Sequence, residues 1–216
     1  MANGPTTEKL IPYALLGMTA VTGLVDAVSF LSLGHIFTAN MTGNVIILAF
    51  AVAHVPGVSL ARSLTALVAF CVGATVGGRI LIRARTDALL QSALLIFALE
   101  IAFLAAAMLA AFGHSSALQD GSAALYTIIV CTALAMGMRN AGVRKLGVAD
   151  LTTTVLTLTI TGLAADSSLA GGSNPRWQRR LAAVLAMFAG AAVGAPTHQT
   201  VRVLGTSSGG SPHIGV

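Results

Sequence analysis

This chain is short of charge. Asp, Glu, Lys and Arg make up 9% of its 216 residues, against about 25% in an ordinary soluble domain. A surface so short of charge cannot face water all round. With 56% hydrophobic residues and a mean hydropathy of +0.86, the expected fold is all-α. The expectation is a polytopic transmembrane bundle with the lipid bilayer as its partner. Aromatic residues are also scarce, at 5%. The net charge of +5 therefore comes without a basic face interleaved with aromatics, which excludes nucleic acid. In such a chain an excess of Lys and Arg belongs to cytoplasmic loops beside anionic lipid.

Reactive and metal-binding groups are few. The two cysteines, Cys71 and Cys131, lie inside apolar runs and read as small buried residues rather than a disulfide or metal pair. His35, His54, His114, His198 and His213 are scattered and have no metal-ligand spacing, so no metal site is expected. Neither a glycine-rich phosphate loop nor a Gly-x-Ser-x-Gly elbow occurs. The expectation is a protein that is not an enzyme and carries no cofactor. The first apolar run contains Asp26 and lacks a small-residue cleavage pattern, so it reads as a retained helix.

What the chain does have is seven apolar segments. They run from Leu10 to Leu33, Ile36 to Val55, Ala61 to Ile82, Ala88 to Phe112, Ala123 to Val143, Leu151 to Leu169 and Leu181 to Leu204. About 20 apolar residues cross a bilayer. The second and sixth segments are the most polar, and short enough to be broken or re-entrant, so six or seven spans are expected. A polar tail at 1–9 precedes a single transmembrane domain at 10–204. A Gly- and Ser-rich tail at 205–216 reads as disordered. Trp177, beside Arg176, Arg179 and Arg180, reads as an interfacial anchor.

An internal repeat organises the segments. Gly73-Ala-Thr-Val-Gly77 matches Gly190-Ala-Ala-Val-Gly194, and in that register Arg62 falls on Arg179. Gly23, Asp26 and Ala27 fall on Gly137, Asn140 and Ala141. The expected plan is 3+1+3, with halves at about 10–82 and 123–204 and a linker helix at about 88–112. If all seven segments span, the halves point the same way, as parallel repeats do. On that topology five Lys and Arg residues (Lys9, Arg62, Arg176, Arg179, Arg180) face seven (Arg79, Arg83, Arg85, Arg139, Arg144, Lys145, Arg202). The bias leans towards an N-terminus outside.

Polar groups inside these apolar runs are the candidate site. Thr19, Thr22, Asp26 and Ser29 fall on one helical face. Asn40 and Asn44 are one helical turn apart, as are Thr38 and Thr42, with Gly43 between. In the sixth segment Asp150, Thr154, Thr157 and Thr161 form a second stripe, to which Thr153 adds. Glu100 lies midway along the fourth segment, and Arg139 and Asn140 near the end of the fifth. A carboxylate at such depth costs a few kcal/mol unless paired or neutral. Arg139 can pair with Asp26 or with Glu100, and the sequence does not choose. The substrate- or ion-binding set is Asp26, Asn40, Thr42, Asn44, Glu100, Arg139, Asn140, Thr153 and Thr154. The Gly73/Gly77 and Gly190/Gly194 pairs read as helix-packing faces.

The stretch from Thr22 to Val45, with Gly, then Asp-Ala, a Leu-Gly turn, Phe, and Asn-x-Thr-Gly-Asn, resembles the YoaK-like bacterial membrane proteins. The Gly137-Met-Arg-Asn-Ala141 and Thr153-Thr-Val-Leu-Thr157 stretches resemble the same family, whose function is unknown. The resemblance implies a polytopic protein of the bacterial inner membrane and supplies no catalytic residues. Two classes of function stay open beside each other. One is a small-molecule or ion transporter with a midplane site between repeats. The other is a partner-binding or accessory membrane subunit whose polar clusters are structural. An intramembrane or lipid-modifying enzyme would need a constellation that is not seen.

Overall fold

A computed structural model of the chain describes residues 5–83, 89–112, 121–146 and 156–206. The described residues form seven helices and one short 3-10 turn, Ser168–Ala170. The helices are α1 (Pro5–Ser32), α2 (Met41–Val52), α3 (Leu60–Arg83), α4 (Leu89–Phe112), α5 (Ala123–Leu146), α6 (Leu156–Ala165) and α7 (Trp177–Thr206). Inside lipid every backbone amide needs an internal partner, which is why long apolar runs become helices. Five of them, α1, α3, α4, α5 and α7, are long and apolar enough to cross a bilayer. The protein is a polytopic helical membrane protein.

Within the described residues the second and sixth segments form only short helices. Helix α2 has 12 residues and α6 has 10. At 1.5 Å per residue they reach only about 18 Å and about 15 Å, against a hydrocarbon core of about 30 Å. Residues 36–40, apolar at Ile36, Phe37 and Ala39, are not helical. The described residues thus hold five helices of spanning length where six or seven spans were expected.

Packing fixes which ends lie together. Leu15 of α1 clusters with Val143 of α5 and Ala183 of α7. Further along, Thr22 meets Arg139. Past the end of α1, Leu33 clusters with Ala66 of α3, Ala107 of α4 and Leu125, Ile128 and Ile129 of α5. Along α1 the contacts therefore descend along α5, and the two helices are antiparallel. The parallel arrangement of halves expected for seven spans is not what α1 and α5 show. It depended on the second segment crossing the bilayer. Instead, Arg62 near the start of α3 donates from Nη1 to the carbonyl of Leu33 at 3.4 Å. Helix α3 thus begins at the end of the bundle where α1 stops. At the opposite end Arg180, near the start of α7, donates to the Gly162 carbonyl at 2.8 Å and pairs with Asp166 at 2.6 Å. That pair ties the C-terminal end of α6 to the end where α5 finishes.

Glycines set the two tightest helix pairs, α1 with α7 and α3 with α5. A Cβ at Gly23 would strike the Met187 carbonyl and the Ala191 amide, and one at Gly137 would strike the Phe70 carbonyl and the Ala74 amide. Gly190 abuts the Ala20 carbonyl and Gly73 the Leu134 carbonyl. Gly194 lies against Leu24 and Ala27, and Gly77 against Met138 and Ala141. Such close approach gathers dispersion contacts that lipid, itself apolar, does not replace by any hydrophobic force. By contrast a Cβ at Gly78 meets nothing within 4 Å.

Replacing Gly23 or Gly190 by Ala forces backbone apart. We expect a loss of about 1–3 kcal/mol, read as a lower unfolding temperature in detergent. Gly78→Ala is the control, expected to be neutral or slightly stabilising. Equal effects at Gly23 and Gly78 would contradict the packing.

Candidate functional site

The site forms where the helical backbone is interrupted. Helix α1 ends at Ser32, and Gly34 and His35 adopt positive φ (85° and 60°), which turns the chain back towards the bundle. Gly34 is required twice over, because a Cβ there would also displace the Arg62 guanidinium. Ile36 packs at the level of Ile128 and Ile129, and Ala39 at the level of Ala135 and Met136. The chain between them therefore moves inward along α5. Helix α2 then starts with Asn40 as its N-cap and returns outward. Beyond its end, the Gly57 carbonyl lies 3.3 Å from Nδ1 of His35. The segment enters and leaves the bundle at one end.

Its inward, non-helical part has backbone amides to satisfy, and Asp26 satisfies them. One oxygen, Oδ1, accepts from the amides of Thr38 at 3.2 Å, Ala39 at 2.9 Å and Asn40 at 3.3 Å. The other oxygen, Oδ2, is buried with no hydrogen-bond partner among the described residues. Asn44 fixes the stretch from the other side. Its Oδ1 accepts from the Phe37 amide at 2.8 Å, and its Nδ2 donates to the Phe37 carbonyl. The Phe37 ring stacks on Phe30 with centroids 5.0 Å apart and lies against Gly43, where a Cβ would meet the ring at 2.8 Å.

Arg139 on α5 is the buried cation of the site, 1% exposed. It pairs with Glu100 of α4 at 3.0 Å and donates from Nη2 to Thr22 Oγ1 at 2.8 Å. Of the two pairings left open by the sequence, the direct one is with Glu100. Asp26 feels Arg139 electrostatically but makes no ion pair with it within 4.0 Å. The stripe Thr19, Thr22, Asp26 and Ser29 is buried at all four positions. Thr19 and Thr22 donate to the carbonyls four residues back, and Ser29 to that of Asp26.

The remaining candidates are placed as follows. Asn40 is exposed and caps α2, its side chain accepting from the Gly43 amide at 3.4 Å. Thr42 is exposed on α2, so it does not share the interior with Asn44. Thr38 precedes the helix, so Thr38 and Thr42 do not form the one-turn pair expected from their spacing. Asn140, half-buried, donates to the Met136 carbonyl at 2.9 Å. Asp150, Thr153 and Thr154 lie outside the described residues. On α6 the buried threonine is Thr159, whereas Thr157 and Thr161 are exposed, so these two members of the expected stripe do not face the core. Asp26, Asn44, Glu100 and Arg139 are thus brought into the interior. Among the described residues no group of three or more His, Cys, Asp or Glu is placed to hold a metal ion.

Sequence reasoning missed two partnerships. One is Asp26 holding its own chain twelve to fourteen residues on, for which the turn signal at Gly34 was the available clue. The other is the Arg180–Asp166 pair, which had no local signal.

With this geometry in view, residues 14–209 match a family described as a protein of unknown function, DUF1275. The chain belongs to that family. It is also 50% identical over 60 residues to the UPF0700 transmembrane protein YoaK of Bacillus subtilis (strain 168). That match covers 28% of this chain and 26% of the relative, so it spans about a quarter of the relative's length. No solved structure matches the chain. The YoaK-like resemblance read from the Thr22–Val45 and Gly137–Ala141 motifs is therefore correct.

Removing one member of a buried pair strands the other. Glu100→Ala is expected to cost about 3–5 kcal/mol by chemical unfolding, and Glu100→Met with Arg139→Met to recover much of that loss. A double variant no more stable than Glu100→Ala would mean that the two residues are not coupled.

Proposed function

We propose that the protein transports a small molecule or ion, and that its fold is an inverted 3+1+3 repeat with five crossings. Helices α1, α2 and α3 make one half, α5, α6 and α7 the other, and α4 links them. The observation that carries the reading is the path of α2. A half-length helix enters the bundle and starts near its middle, beside buried charge. Broken helices whose N-termini point at the midplane recur at transporter sites, because irregular backbone is tolerated there only where it is buried or lines a cavity. The site would be bounded by Asp26, Asn44, Arg139 and Glu100, with Asn140, Thr153 and Thr154 as the counterparts in the second half and Asn40 and Thr42 at the inner start of α2.

The repeat is supported by contacts as well as by matched letters. In the register that sets Gly73 on Gly190, Phe70 falls on Met187 and Ala74 on Ala191. Those are the residues that Gly137 and Gly23 respectively touch. Likewise Ala20 and Leu24 correspond to Leu134 and Met138, which face the equivalent glycines. Helices α2 and α6 then enter from opposite ends, which is what inversion requires.

Charge supports the same topology. With five crossings, Lys9, Arg79, Arg83, Arg144, Lys145, Arg176, Arg179 and Arg180 gather at the end where α1 starts, and Arg62 and Arg202 at the other. Arg85 lies outside the described residues and Arg139 in the interior; without those two a seven-span chain would have five against five, where five crossings give eight against two. The positive-inside rule then puts the N-terminus in the cytoplasm of a cell-membrane protein, opposite to the earlier lean, and α2 enters from outside.

One observation favours the second reading, a membrane subunit whose polar groups are structural. Asn44 has both of its polar atoms occupied by Phe37. Two measurements separate the readings. Single-cysteine reporters test the topology. Gly57→Cys should react with an impermeant maleimide from outside, and Ala2→Cys and Lys145→Cys only after permeabilisation. Ala2 and Gly57 reporting from one side would remove the five-crossing fold. For transport, purified protein is screened for solutes that raise its unfolding temperature. A ligand at about 100 times its Kd stabilises by about 2.7 kcal/mol. Hits are then assayed for uptake into proteoliposomes. Uptake that Asp26→Asn and Arg139→Gln leave untouched would refute the site.

A further inference from the structure

The buried charges of the bundle do not balance. Among the described residues, Asp26, Glu100 and Arg139 lie in the interior away from both ends, at 4%, 7% and 1% exposure. Arg139 is committed to Glu100 at 3.0 Å, and those two neutralise each other. Asp26 is the surplus. Helix α7 offers it no countercharge, since it presents Met187, Ala191 and Gly194 to α1 there. The stretch ahead of α2 offers backbone amides. An uncompensated carboxylate is costly in an apolar interior, and such a group commonly neutralises instead.

The two oxygens of Asp26 differ in the way that neutralisation needs. Oδ1 accepts from three amides, at 3.2, 2.9 and 3.3 Å, while buried Oδ2 has no donor directed at it among the described residues. We infer that Asp26 is a proton-binding site of this protein, its Oδ2 taking one proton from water and returning it. The step is a simple protonation. A proton from hydronium bonds to Oδ2, the carboxylate becomes a carboxylic acid, and Oδ1 remains the acceptor for the amides. Both states have something to hold them: three amides for the carboxylate, an apolar surround for the acid. Hydrogen bonds to an ionised acceptor are roughly twice as strong as neutral ones. Proton uptake therefore loosens the grip on Thr38, Ala39 and Asn40, and with it the inner end of α2.

Among the described residues only the first half has this device. In the proposed register Asn140 occupies the position matching Asp26, has nearly the same shape and cannot titrate at physiological pH. A proton at Asp26 therefore acts on α2, and Asn140 gives no equivalent response. The inference deepens the transport reading and rests on it for the proton's purpose, since a proton that loosens one side of an alternating site is a coupling ion.

Infrared spectroscopy of the full chain in lipid nanodiscs tests it without any transported solute. A carboxylic-acid carbonyl band should grow in as the pH falls from neutral to mildly acidic, shift when aspartate carries a carbon-13 carboxyl, and vanish in Asp26→Asn. In Glu100→Gln the band should titrate away at a lower pH, because Arg139 is left to Asp26 alone. The isotope shift in the unmodified chain separates aspartate from glutamate and needs no variant to fold. An acid band missing at neutral and mildly acidic pH, or one indifferent to aspartate labelling, overturns the proton site and leaves the transport reading standing. Failed uptake alongside an assigned band does the reverse.

Discussion

Inside a bilayer no water stands ready to bond a bare amide, so a chain that leaves the helix there must bring its own acceptors. In this protein Asp26 is that acceptor. By collecting three amides on one oxygen it allows residues 36–40 to run inward without helical bonding. That inward run lets α2 begin near the middle of the bundle, and the rest of the topology follows. Because α2 returns to the end it came from, α1 and α3 start from opposite ends, α5 opposes α1, and buried Arg139 comes within reach of Thr22 and Glu100.

The class of the fold and the depth of the key residues were legible in the sequence, because both are properties of composition and helical period. A charge content of 9% leaves a bilayer as the medium, and spacings of three and four placed Thr19, Thr22, Asp26 and Ser29 on one face, all of them buried. The glycine pairs were legible for the same reason. What was not legible was the path of the second segment. Hydropathy sums apolar residues without regard to direction, so an extended entry followed by a returning 12-residue helix has the same content as a span. The relative direction of the halves and the charge bias both depended on that one crossing. The choice between Glu100 and Asp26 as the partner of Arg139 was likewise a matter of distance across helices, which periodicity within a helix cannot supply.

Two kinds of adhesion divide the labour in this bundle. The α1–α7 and α3–α5 pairs are backbone contacts made through glycine, rigid and tolerant of no added carbon. The segments ahead of and within α2 are held by side chains, Asp26 and Asn44, whose bonds to Phe37 and residues 38–40 can be exchanged one for another. The frame is thus fixed by backbone contact and the insert by exchangeable side-chain bonds.

Helix α4 packs chiefly beside α5 and lacks a counterpart in either half. Each proposed half crosses the membrane twice and so ends on the side where it began. Joined directly, two such halves would face the same way. A single added crossing turns the second half over. In the proposed fold, losing α4 would leave the second half facing the same way as the first, and the antiparallel pairing of α1 with α5 could not form within one chain.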